Sequence, residues 1–146
     1  MNRIDFIAVH CSATPATLDW DVEDVRRSHR QRGFRDVGYH YIITRSGPVQ
    51  KGRPDNQPGA HEPKINRRSI AICLIGGSPP IGSPAHRKGL GENNFTPEQM
   101  ASLEKLVTEL TAKHPDAEVI GHRDVPGVAK ACPSFDVKSW WASVKD

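Results

Sequence analysis

"SIAICLIGG", residues 69–77, is the stretch on which the fold of this chain turns. It is the most apolar run in the sequence. Arginines stand before it and a Ser-Pro-Pro turn follows it, so it reads as a strand buried on both faces at the centre of a sheet. Working outward, "IDFIAVH" (4–10) mixes β-branched and aromatic residues and predicts a second buried strand. "AEVIGH" (117–122) predicts a third, with His122 at its end. "GYHYIITRSGPVQKG" predicts a hairpin: a strand over 39–44, a turn at Ser46-Gly47 and a short strand near Val49.

Helices lie between these strands. "WDVEDVRRSHRQRG" has Asp19 to cap it, acidic residues in its first turn, arginines in its last and Gly33 to stop it. "TPEQMASLEKLVTELTAKHP" gives the clearest helix. Thr96 is its N-cap, Pro97 takes the first position, Gln99 completes a capping box, and Met100, Leu103, Leu106, Val107 and Leu110 share one face. A last helix begins near Ser134 to Asp136 and buries Val137, Trp140, Trp141 and Val144. The segments 53–68 and 78–94 are too rich in Pro, Gly and Asn for regular structure, and the second is long for a compact domain. The expectation is one α/β domain spanning 1–146, a mixed central β-sheet flanked by helices, with a site at the strand ends.

Composition narrows the function. Of the 146 residues 36% are hydrophobic and 25% charged, which fits a folded domain rather than a disordered tail. No run approaches the roughly 20 apolar residues that cross a bilayer, and the first residues show no signal-peptide pattern. Cytoplasmic accumulation is therefore expected, without membrane insertion. A net charge of +3 with no basic helix or stacking motif argues against a nucleic-acid partner. Three cysteines at 11, 73 and 132 make no disulfide framework and point to burial, catalysis or metal binding.

Seven histidines are available. His29 is read as a surface residue of its helix, His86 as a loop residue and His114 as a helix C-terminal cation. His10 and His122 differ because each ends a predicted strand, where side chains open onto a crevice. Each is also readable as an imidazole satisfied by a loop carbonyl. Cys132 in "KACPSFD" (130–136) adds a thiol, and two imidazoles with one thiolate leave a fourth zinc position to water. Lys130 beside it is expected to favour the ionised sulfur. Cys11 should face away from a site that His10 faces, by strand alternation, and Cys73 reads as a small buried hydrophobe.

"VHCSAT" (9–14), "DVGYHYII" (36–43), "SIAICLIGG" (69–77), "NFTPEQMASL" (94–103) and "KACPSFD" occur in the order found in zinc-dependent N-acetylmuramoyl-L-alanine amidases. The chain resembles that family over nearly its whole length, the short phage lysozymes in particular, and the family shares its fold with the peptidoglycan-recognition proteins. "GHRDVPG" (121–127) looks more like the wider superfamily, and the 78–94 loop is a departure that bears on substrate access.

The resemblance implies one Zn2+ per chain on His10, His122 and Cys132, and a catalytic pair of Tyr39 and Lys130. It implies peptidoglycan as substrate, cut between N-acetylmuramic acid and L-alanine, and a lytic role in which the wall is reached after membrane opening. Tyr39 would orient water, donate to the oxyanion or relay a proton. His40 should point away from it; His61 and Arg67, with Arg68, are candidate substrate contacts, and Asp124 a candidate to orient a ligand. A monomer is expected. Other readings are a non-catalytic peptidoglycan-binding module, which in this superfamily typically lacks the cysteine, and contact with an RNA polymerase.

Overall fold

A computed structural model describes residues 3–145. Its elements in chain order are β1 (Phe6–Cys11), β2 (Thr14–Pro15), α1 (Val22–Gln31), β3 (Tyr41–Ile43), β4 (Val49–Lys51), β5 (Ser69–Leu74), β6 (Gly77–Ser78), α2 (Pro84–Arg87), α3 (Pro97–Lys113), β7 (Glu118–Gly121) and α4 (Val137–Val144). Short 3-10 turns occupy Asn66–Arg68 and His122–Asp124. Five strands form one sheet in the order β4-β3-β5-β1-β7, parallel except for the β3–β4 hairpin. β5, the apolar run, lies between β3 and β1 with all six residues buried. β2 and β6 form a separate two-stranded ladder.

Strand alternation gives the sheet two unlike faces. Ile7 and Val9 of β1, Ile43 of β3, Ile70, Ile72 and Leu74 of β5 and Val119 of β7 pack with Leu103, Leu106, Val107 and Leu110 of α3 and Val137 of α4. Met100, Trp140 and Trp141 pack against this layer while only partly buried. α3 is capped as its sequence predicts, by Thr96 and Gln99. The Gln99 amide is fully buried and also donates to the Ile43 and Ile75 carbonyls (3.2 and 2.9 Å), which pins the start of α3 to the sheet.

On the other face, Ile42 and Cys73 meet Val25 under α1, and Ala8 and Ile120 meet Ile65 and Val125 of the connecting loops. Three expectations shift here. The N-cap of α1 is Asp21, whose carboxylate accepts from the Glu23 and Asp24 amides, so the helix starts later than a cap at Asp19 would allow. Val22, Val25 and His29 then fall on its inner side, and His29 is buried rather than at the surface. The 78–94 loop contains β6 and the single turn α2, and Asn94 ties its end to its start through the Gly77 amide and the Ser78 carbonyl (2.9 Å each). No helix of the described residues is long and apolar enough to cross a membrane.

Candidate metal centre

His10 lies near the carboxyl end of β1, and β7 delivers His122 one residue past its own end. The 129–134 loop crosses those ends and brings Cys132 in. The ligand atoms of His10, His122 and Cys132 all lie within 4.8 Å of one another. They line a cleft of about 220 Å³ together with Tyr39, Lys130, His61, His29 and Arg32.

Hydrogen bonds fix which ring nitrogens are available. Ser69 Oγ donates to the Ile65 carbonyl (2.7 Å), so its oxygen accepts from His61 Nε2 (2.9 Å). His61 Nδ1 must then accept from His10 Nε2 (2.8 Å), which leaves His10 Nδ1 with a free lone pair. Glu62, held below the usual carboxylate range by the Lys64 amide, accepts from His122 Nε2 (3.4 Å) and leaves Nδ1 of that ring free as well. Burial lowers the pKa of both imidazoles, with Lys130 adding to the effect, so both are neutral. The Cys11 amide donates to Cys132 Sγ (3.1 Å). Two neutral imidazoles with oriented Nδ1 atoms and one sulfur that receives an N–H form a donor set suited to zinc.

The remaining residues fall as follows. Tyr39 packs its ring 5.1 Å from that of His10 and 5.3 Å from that of His29, and burial keeps its hydroxyl protonated well above the usual phenol range. His40 points elsewhere, accepting from the Ala71 amide and bonding the Gln57 carbonyl. Arg67 is exposed and lines no part of the cleft; Arg68 pairs with Asp5 and lies over the Phe6 ring.

Asp124 caps the Gly121 amide (2.8 Å) and does not orient a ligand; the carboxylate beside His122 is Glu62. Cys11 does not face away. It ends β1, where the 129–134 loop passes over the strand tip, and its thiol and burial raise the Cys132 pKa. The sulfur of Cys132 is therefore protonated until a metal displaces the proton, contrary to the ionisation expected from Lys130. Gly77 has to be glycine because a Cβ there would fall within 2.9 Å of Cys11 Cβ.

Sequence reasoning missed three residues of the site. Glu62 carried no signal in a loop. His29 accepts from the Gly38 amide (2.8 Å) and is held near pKa 4 by burial; its seven-residue spacing from Val22 was the available sign. Arg32, at the end of α1, lies over the Phe34 ring (5.3 Å) at the cleft wall.

Residues 1–135 match the family model described as N-acetylmuramoyl-L-alanine amidase. The chain belongs to that family. Its activity is hydrolysis of the amide between N-acetylmuramic acid and L-alanine in peptidoglycan. The endolysin of Klebsiella phage KP32 is 45% identical over 135 residues, 92% of this chain and 83% of the relative. The endolysin of Escherichia phage T7 is 44% identical over 137 residues, 94% and 85% of the two chains. Among solved structures, the endolysin amidase LysCS of Clostridium intestinale superposes with a TM-score of 0.77 at 26% identity, covering 97% of this chain and 83% of its own. Bumblebee peptidoglycan-recognition protein SA, at 22% identity and a TM-score of 0.76 over 99% of this chain and 84% of its own, shares the fold.

Proposed function

We propose that residues 1–146 form one catalytic domain of an endolysin that cleaves peptidoglycan with a single zinc held by His10, His122 and Cys132. The observation that carries this reading is the convergence of those three donors within 4.8 Å at the strand ends. Zinc bound there supplies Lewis acidity and a water whose pKa falls to about 7.

The protein's own groups do the rest. His61 and Glu62 hold the two imidazoles in one tautomer through their Nε2 protons. Lys130 is exposed at the cleft wall, and its charge contributes to lowering the pKa of both histidines. It stabilises the negative charge that develops on the carbonyl oxygen of the scissile amide; removing one such donor costs about 2.7–4 kcal/mol of barrier. Tyr39, protonated at neutral pH, donates a hydrogen bond to that oxygen or to the departing amine. Arg32 offers its guanidinium to the carboxylates of the stem peptide, a place where Arg67 does not reach.

Synthesis in the host cytoplasm followed by action on the wall after membrane opening fits an enzyme of this kind. Mass analysis of digested peptidoglycan tests the reading. Free stem peptides carrying a new L-alanine amino terminus are expected. Fragments cut only within the glycan, or only between amino acids, would refute it.

A further inference from the structure

Two of the three cysteines meet. Cys132 Sγ accepts from the Cys11 amide (3.1 Å) and lies 3.9 Å from the Cys11 carbonyl oxygen, so it rests against the main chain of that residue. The two thiols are also hydrogen-bonded to each other. We propose that Cys11 and Cys132 form a reversible redox switch, in which a disulfide between them and the bound metal exclude one another; the inference rests on Cys132 being a ligand, as proposed above.

The surroundings hold the pair together. Gly77 of β6 closes one side of Cys11, since a Cβ there would fall 2.5 Å from its sulfur. The 129–134 loop is fastened at Cys132, whose carbonyl accepts from the Arg123 amide (3.0 Å), and at Ser134, whose hydroxyl donates to the Gly77 carbonyl (3.0 Å). Cys11 and Cys132 both line the metal cleft and the cavity beside it, so a small oxidant can reach them. Cys73 is fully buried in β5 and lines neither. Closing the bond requires the two sulfurs to turn toward each other, to about 2.05 Å.

The oxidant is a low-molecular-weight disulfide. One thiol gives up its proton and attacks it, forming a mixed disulfide, and half of the reagent leaves as a thiol. The second thiol attacks the protein sulfur of that mixed disulfide, and the other half leaves as a thiol too. Two protein thiols are thereby oxidised to one disulfide, and one reagent disulfide is reduced to two thiols. The thiolate is both the nucleophile of this exchange and the metal ligand, so one use precludes the other. Cytoplasmic thiols are kept reduced, whereas the bacterial periplasm is oxidising. A chain that passes from one to the other keeps Cys132 as a ligand only if metal already occupies it.

The test uses the full-length protein and bis(2-hydroxyethyl) disulfide, with the protein either zinc-loaded or in the presence of a chelator. With chelator, the mass should fall by two hydrogens and the peptides that contain Cys11 and Cys132 should be cross-linked. After both reagents are removed, zinc uptake should have dropped from about one per chain to background, and dithiothreitol should restore it. Zinc-loaded protein should form the cross-link at least about tenfold more slowly. Cys11→Ala should show no loss of two hydrogens. A missing cross-link, a cross-link to Cys73, an equal rate with and without bound zinc, or a loss of two hydrogens in Cys11→Ala would overturn the switch and leave the metal reading standing. Reduced wild type that takes up no zinc would overturn both.

Discussion

The two faces of the central sheet obey different rules. Toward α3 and α4, the buried inward positions of β1, β3, β5 and β7 are apolar, and Tyr41 of β3 packs against them while its hydroxyl donates to Asp55 (2.7 Å). Toward α1 and the long loops, the same strands carry Ala8, His10, Ile42 and Cys73, and the apolar clusters are small and separated by imidazoles. One face is a packing surface. The other gives up packing so that His10, His122, Tyr39 and their hydrogen-bond partners can reach one point.

Substitutions on the two faces should therefore separate stability from chemistry. Cys132→Ser should reduce zinc content to background and abolish release of stem peptides, with little loss of urea resistance in the metal-free protein; activity that survives would break the contrast. Leu103→Ala, fully buried under the other face, should cost about 2–5 kcal/mol of unfolding free energy and leave the rate of the folded fraction unchanged. Lys130→Ala should lower kcat by about 10²–10³ while zinc content stays at one per chain. If the metal left with Lys130, its role would be to hold the site and not to stabilise charge.

Smaller effects sharpen the same comparison. His61→Ala removes the acceptor for His10 Nε2 and should weaken zinc affinity by about 10–100-fold in chelator competition. An unchanged affinity would mean that the tautomer of His10 is set elsewhere. His29 adds a pH signature. Its folded pKa near 4 lies below the ordinary value of 6.5, so the unfolded chain takes up the proton first. Its contribution is complete above pH 6.5 and is lost as pH falls from there to about 4. His29→Asn, which can keep an acceptor for the Gly38 amide, should lessen the fall of stability across that window, to which the other buried imidazoles also contribute; an unaltered slope would remove His29 from the account.

The two faces also differ in how far they could be read from sequence. The α3 side was legible almost residue by residue, because Leu103, Leu106, Val107 and Leu110 repeat at the period of a helix and their caps are local. The strands that lead to His10 and His122 were legible as well, because short apolar runs rich in β-branched residues are also a local signal. What escaped depends on contacts distant in sequence. Glu62 meets His122 across 60 positions, and Cys11 meets Cys132 across 121 because a loop passes over a strand tip, which alternation along the strand cannot foresee. His29 was misplaced by the arginines around it, although its spacing from Val22 and Val25 already turned it inward.

The central claim is that one zinc sits on two imidazoles and the Cys132 sulfur. X-ray absorption at the zinc edge of the purified wild-type protein tests it most directly. The account predicts about one zinc per chain with a single sulfur neighbour at about 2.3 Å and nitrogen neighbours at about 2.0–2.1 Å, the sulfur being lost in Cys132→Ser. An active protein with no zinc, or with a shell of nitrogen and oxygen alone, would contradict it.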